Sequence, residues 1–317
     1  MKIGLIINSA ECGRWKSFYT SNDQAYLFNH TLYNGPTDQD GIGCTVFRNI
    51  WNRPFMGQGY FINPKYGYPD IDLDVIFVVY ESDNNPEQFI NSIREKYSNA
   101  ILIGTTKEAI PNLATKPVKS LKKVFELCDS VAIQFNEDIC DKLTHDMGIK
   151  IHSLPIPYKI DYIRDKYRTQ TNERFILAGS ASWDPARGYD KCLAFAKYLG
   201  NKYDFSVVEN KDDKTWEEWL QLIDKASFVI NMDTQHRLGQ VTIESIALGT
   251  PHIGGLSDAA RTIMPEWATN NEEQLESIFV DILNNGYNDK YYYKQLRDRY
   301  NFHILDQKLR DIIKEVR

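Results

Sequence analysis

Apolar residues in the first half of the chain fall into short runs separated by amphipathic stretches. Runs at 2–8, 75–80, 100–103, 130–134 and 150–153 have the length and composition of buried strands. Between them, Phe89, Ile90 and Ile93 form one stripe at helical spacing, and Leu121, Val124, Phe125 and Cys128 form another. Strands alternating with helices predict parallel βαβ units with ligands at the carboxyl ends of the strands. Residues 37–74 break the pattern. They are rich in Gly, Pro and aromatics (Phe47, Trp51, Phe55, Tyr60, Phe61, Tyr66, Tyr68) without a clean period, which suits a functional loop or a small hairpin.

Pro155-Ile156-Pro157 ends this series, and the charged stretch 159–173 reads as an interdomain linker. A second α/β series follows, with strands at 175–178 and 204–208 and helices at 190–199 and 215–225. The last of these carries Trp216, Trp219, Leu220 and Ile223 on one face. The run Phe228-Val229-Ile230 then leads through a polar turn to Gly239 and a short helix stopped by Gly249-Thr250-Pro251. The tail from Glu272 is helical. The expected fold class is α/β: two facing Rossmann-like domains, 1–158 and 174–317, with a helical C-terminal tail free to pack back on the first domain.

Composition narrows the function. The chain of 317 residues has 25% charged residues and a net charge of −6, globular values that oppose non-specific nucleic-acid binding by the whole surface. The acidic excess lies mainly in the second half, so the first half is free to present basic patches. No apolar run approaches the roughly 20 residues of a membrane span. Five cysteines without CxxC spacing suit packing in a reduced, cytoplasmic compartment. No residue spacing suggests a metal site.

The chemistry concentrates in the second half. Gly239 lets a backbone approach a ligand, and the N–H groups of Gln240, Val241 and Thr242 that follow Leu238-Gly239 would form an anion site at a helix start. Glu244, one turn on, could accept hydrogen bonds from a sugar diol. Lying among apolar residues, it needs either a strong partner or a polar ligand, and ligand binding is the favoured expectation. Gly179-Ser180 follows the first strand of the second domain, and Arg187 offers a planar fork for phosphate oxygens. His236 shares the loop before Gly239. His252, in the strand after the helix, reads as an ordinary polar residue.

These residues resemble the GT-B fold glycosyltransferases. Their nucleotide-binding half carries a segment of the form E-x-F-G-x-x-x-x-E-A-x-A-x-G-x-P, matched here by Leu238-Gly239, Glu244, Ala247, Gly249 and Pro251. The resemblance implies that Glu244 holds the ribose of a nucleotide diphosphate sugar, with a UDP-sugar such as UDP-glucose favoured. The retaining branch has another acid where this chain has His236. Ser180 stands where many members carry a phosphate-binding arginine, and Arg187 in the place of a later basic residue. Leu154-Pro155-Ile156-Pro157-Tyr158 is similar to the pre-linker loop of such enzymes. Residues 16–28 (KSFYTSNDQAYLF) and Gly179-Ser180 also resemble bacteriophage DNA glucosyltransferases that modify 5-hydroxymethylcytosine. Those enzymes place a carboxylate base after a mid-domain strand, where this chain reads Thr105-Thr106-Lys107-Glu108.

The resulting expectation is sugar transfer from a nucleotide diphosphate sugar, without a tightly bound cofactor or metal, to a hydroxyl acceptor. Gly179, Ser180, Arg187 and the amides after Gly239 would hold the diphosphate, and Glu244 the ribose. Asp23 or Glu108 would be the general base of an inverting reaction, with His236 a further catalytic candidate. The acceptor is either a hydroxymethylated base in double-stranded DNA or a cell-envelope or other glycan. For DNA, Arg14, Lys16, Arg48, Arg53, Lys116, Lys119, Lys122 and Lys123 would contact phosphates. A monomer is expected. From another class, a non-catalytic nucleotide-sugar or nucleic-acid binding module would fit His236 and Ser180 as degenerate positions.

Overall fold

The structure, a computed structural model, describes residues 2–8, 25–28, 59–62, 64, 67–80, 85–106, 118–155, 158, 160–169, 171–180, 187–210, 214, 216–234 and 238–317. The chain forms two compact units. One comprises Met1–Glu108, Asn112–Tyr158 and Phe302–Arg317; the other is built on Lys159–Asn301.

The first unit is built on strands β1 (Ile3–Asn8), β2 (Ala25–Phe28), β3 (Gly59–Ile62), β4 (Val75–Tyr80), β5 (Ile101–Thr105), β6 (Ser130–Ile133) and β7 (His152–Ser153). They join in one sheet in the order β2-β3-β1-β4-β5-β6-β7. All described pairings are parallel except β2 with β3, which are antiparallel. Val75 through Val79 are buried without a break, as expected of a parallel strand covered on both faces. Helices α1 (Pro86–Lys96), α2 (Val118–Leu127) and α3 (Glu137–Met147) connect the strands. Asn85 caps α1 through the Gln88 N–H, Pro86 opens the helix, and Phe89, Ile90 and Ile93 face the core as their spacing predicted. Asn136 caps α3, and Gly148 ends it in the left-handed conformation. The aromatic region 37–74 contributes β3, and the YLF segment contributes β2.

The second unit opens with helix α4 (Ile160–Tyr167), inside the stretch read from sequence as a linker; Ile160, Ile163 and Tyr167 are buried. Then come β8 (Glu173–Ala178), α5 (Tyr189–Tyr203), β9 (Ser206–Glu209), α6 (Trp216–Lys225), β10 (Ala226–Ile230), α7 (Gln240–Leu248), β11 (His252–Ile253), α8 (Asp258–Ile263), α9 (Glu272–Asn285) and α10 (Asp289–Tyr300). The four strands are parallel, in the order β11-β10-β8-β9. The core packs Ile176, Phe195, Leu199, Phe228, Ile230 and Phe279 between the sheet and its helices. Helix α7 is buried over Thr242–Leu248, the pattern of a helix enclosed on all sides. The last helix, α11 (Phe302–Val316), belongs to the first unit, where Lys308 pairs with Glu137 at 2.8 Å and Lys150 pairs with Glu315.

Candidate functional site

In the second unit the chain runs from β8 to its neighbour β9 on one side, then returns to place β10 on the other side. Connections at the carboxyl ends of β8 and β10 therefore diverge, which leaves a crevice there in open parallel sheets. Two helices start from these connections, α5 after β8 and α7 after β10. Both begin at a glycine in the left-handed conformation without a side-chain cap: Gly188 (φ 63°) for α5 and Gly239 (φ 85°) for α7. Elsewhere Asn85, Asn136, Ser257, Asn271 and Asn288 cap helix starts with their side chains.

Only glycine fits at either start. A Cβ on Gly188 would stand 2.6 Å from the Met232 carbonyl oxygen, and one on Gly239 would stand 2.3 Å from Ser257 Oγ. In α7 the first intrahelical bond runs from the Ile243 N–H to the Gly239 carbonyl. The amides of Gln240, Val241 and Thr242 precede that bond and are the helix's outward donors. Together with the helix dipole they favour an anion at this end. Of the predicted anion-binding residues, Gly239, Gln240, Val241 and Arg187 are partly exposed, whereas Thr242 is buried.

Other expected ligand groups are turned inward. Gly179 donates its N–H to the Ile230 carbonyl at 2.7 Å, continuing the β8–β10 pairing. A Cβ there would meet Val229 Cγ1 at 2.9 Å, so this glycine serves close packing. Ser180 is 2% exposed; its hydroxyl donates to Asn231 Oδ1 at 3.0 Å and accepts from the Met232 N–H at 3.2 Å. The hydroxyl has one proton and Asn231 receives it, so the expectation of a Ser180 hydroxyl on a phosphate is corrected: it joins the loops after β8 and β10. Leu238 is buried.

Glu244 requires the largest correction. It has no exposed surface, and the indole N–H groups of Trp216 and Trp219 donate to its Oε1 and Oε2, each at 2.8 Å. Of the two ways to satisfy a carboxylate among apolar residues, the structure supplies internal partners, and a diol has no access to it. The tryptophan stripe read as an apolar face is also the pair of donors that holds this acid.

Behind the α7 start lies a buried polar chain that sequence reading missed. Thr242 Oγ1 is 3.3 Å from both His252 Nε2 and Ser257 Oγ, and Ser257 Oγ accepts from the Ala260 N–H at 3.2 Å. Burial alone lowers the His252 pKa from 6.5 to about 3, so the imidazole is neutral at ordinary pH. Its Nδ1 is buried without a hydrogen-bond partner.

Asp23, Glu108 and His236, the expected catalytic residues, lie outside the described residues, as do Arg14, Lys16, Arg48, Arg53 and Lys116. The Lys119 side chain does too. Lys122 is partly exposed and Lys123 exposed; they stand 3.8 Å from Glu126 and 3.7 Å from Glu87, respectively. In the first unit, Thr105 ends β5 and Thr106 follows it; both are buried. Among the described residues no cluster of His, Cys, Asp and Glu could hold a metal, and no helix is long and apolar enough to cross a membrane.

No protein-family model and no curated protein matches the chain. Solved structures do. An α-glucosyltransferase in complex with UDP and a 13-mer DNA containing an HMU base superposes over 99% of both chains, with TM-score 0.58 and 11% identity. A TarM variant from S. aureus, in complex with Fondaparinux, α-GlcNAc-glycerol and UDP, matches with TM-score 0.58 and 10% identity over 75% of this chain and 55% of its own. A glycosyltransferase from Rickettsia africae matches with TM-score 0.51 and 16% identity over 77% of each chain. The fold is that of GT-B glycosyltransferases, two Rossmann-like units with a C-terminal helix, in agreement with the resemblance read from sequence.

Proposed function

We propose that the chain is a glycosyltransferase that moves a sugar from a nucleotide diphosphate sugar, a UDP-sugar in the first instance, to a hydroxyl acceptor. The carrying observation is the pair of uncapped, glycine-started helices α5 and α7 at the point where strand order reverses. Two helix starts with outward amides, joined by Arg187, form a donor set for a diphosphate. The amides of Gln240, Val241 and Thr242 bind the phosphate oxygens, and Arg187 offsets the charge that builds on the leaving diphosphate. Gly179 and Ser180 hold the β8 loop in place. UDP in two structures of the same fold supports the choice of donor.

For the acceptor we favour a hydroxymethylated base in DNA. The support is the match over 99% of both chains with a structure that contains such DNA. Asp23 and Glu108 remain the candidate bases and His236 a further catalytic candidate; Lys122, partly exposed, and Lys123, exposed, are cations on the first unit.

The test is calorimetric titration with UDP and a panel of UDP-sugars, followed by transfer assays on hydroxymethylated DNA, plain DNA and glycans. Product on hydroxymethylated DNA alone is expected. Product on a glycan alone would replace the acceptor, and absence of any nucleotide binding would refute the enzyme reading.

A further inference from the structure

We propose that the side-chain amide of Asn231 is a ligand contact of the nucleotide site, donating through Nδ2 to a phosphate oxygen of the diphosphate. This rests on reading the crevice between β8 and β10 as a diphosphate site, and it names a side chain that binds there. Asn231 directly follows β10, and Ser180 lies two residues after β8, so both stand at the carboxyl ends of neighbouring strands. The Asn231 backbone is fixed: its N–H donates to the Ile253 carbonyl at 3.0 Å. The chain leaving β11 also passes close against it, since a Cβ on Gly254 would stand 2.4 Å from the Asn231 carbonyl oxygen.

The amide itself is held by two donors. The Asp233 N–H reaches Asn231 Oδ1 at 2.8 Å, and the Ser180 hydroxyl reaches the same oxygen at 3.0 Å. A backbone N–H can only donate, so this bond fixes which end of the amide is oxygen and which is nitrogen. Nδ2 therefore lies beside Oδ1, in the bridge between the two loops, with two protons to give. It donates to no described group and is not closed off from solvent, although the residue as a whole is only 7% exposed. The turn from Asn231 to Asp233 and the bond from Ser180 need only an acceptor, and an aspartate would be a stronger one. What asparagine adds is the donor. A nearly buried donor is costly to leave unpaired, and phosphate oxygens, which only accept, are what a diphosphate brings to it. Because the amide is already held in place, binding orders it no further.

The experiment titrates the intact protein and Asn231→Asp with UDP, UDP-glucose and uridine. The substitution keeps the acceptor used by Asp233 and Ser180 and replaces the donor with a carboxylate. Loss of a hydrogen bond to a charged group should lower UDP affinity roughly tenfold or more, with uridine affinity unchanged. The wild-type protein, labelled at its asparagine side chains, gives a reading independent of the variant's folding: UDP should shift the Asn231 Nδ2 proton resonances, and uridine should not. Wild-type UDP affinity in Asn231→Asp, an equal loss for uridine, or unmoved resonances overturn this inference and leave the donor reading standing. A loss confined to UDP-glucose moves the contact to the sugar and overturns the phosphate assignment. No binding of UDP or UDP-glucose by the wild-type protein overturns the donor reading and this inference together.

Discussion

Replacement of Gly239 by alanine tests the start of α7 directly. The residue sits at φ 85°, where an L side chain costs about 1–2 kcal/mol. The new Cβ would stand 2.3 Å from Ser257 Oγ, 2.6 Å from Ser257 Cβ and 3.2 Å from Ala259 Cβ. Ser257 cannot simply swing away, because its hydroxyl caps α8 through the Ala260 N–H and touches Thr242. Overpacking of this kind costs about 1–3 kcal/mol. The expected loss for Gly239→Ala is therefore about 2–5 kcal/mol, read from urea unfolding followed by tryptophan fluorescence and circular dichroism. Ser257→Gly removes both clashing atoms and, as an N-cap replacement, should itself cost only a few tenths of a kcal/mol. In the double variant the steric part should return, giving a coupling of about 1–3 kcal/mol and leaving the backbone strain. Nucleoside diphosphate affinity should fall in Gly239→Ala and recover in part in the double variant. A single-variant loss below about 1 kcal/mol, or strict additivity, would refute this account of the turn.

Further outcomes follow from other buried groups. His252 has its pKa depressed from 6.5 to about 3, so the unfolded chain binds the proton first; its contribution is complete above pH 6.5 and is lost as pH falls toward 3, at roughly 1.4 kcal/mol per unit. The difference in unfolding free energy between wild type and His252→Phe should shrink over that window, and a constant difference from pH 7 to pH 4 would contradict the burial argument. Asp289 accepts from Arg164 at 3.0 and 2.6 Å and pairs with Arg168 at 2.9 Å, all three side chains mostly enclosed. Asp289→Ala should cost on the order of 3 kcal/mol because it leaves two guanidinium groups together without their acid, and a change under 1 kcal/mol in urea titration would show the cluster to be solvated. Cys128, whose pKa burial pushes up to about 12, and the buried Cys140 and Cys192 should resist alkylation at pH 8 until urea is added; mass mapping of modified peptides would show otherwise.

Short apolar runs located most parallel strands within a few residues, because a strand buried on both faces has little room for polar residues. Strands β2 and β3 were not legible. Their antiparallel pairing joins segments more than thirty residues apart, and the aromatic region around β3 has no single period. Helix α4 could have been found. Ile160, Ile163 and Tyr167 repeat at helical spacing, but the charges between them carried the stretch into the linker reading. The β11 segment showed His252 without showing that Thr242 and Ser257 converge on it, since that meeting depends on tertiary packing.

Glu244 shows why a site can be half legible. Its neighbours in VTIESIAL correctly announced a buried acid, and burial required a partner. The choice of a ligand over a protein partner was made on the flanking glycines. The decisive signal lay 25 and 28 residues upstream, in two tryptophans three positions apart. An indole in a core must still place its N–H, and two indoles on one helical face call for a shared acceptor on the helix opposite. Helix α7 is enclosed over Thr242–Leu248, so any polar side chain in that span must be satisfied from within the unit. Only its first turn, opened by Gly239, keeps donors for a ligand. The same enclosure that turns Glu244 away from solvent also fixes the direction of the amides in that first turn.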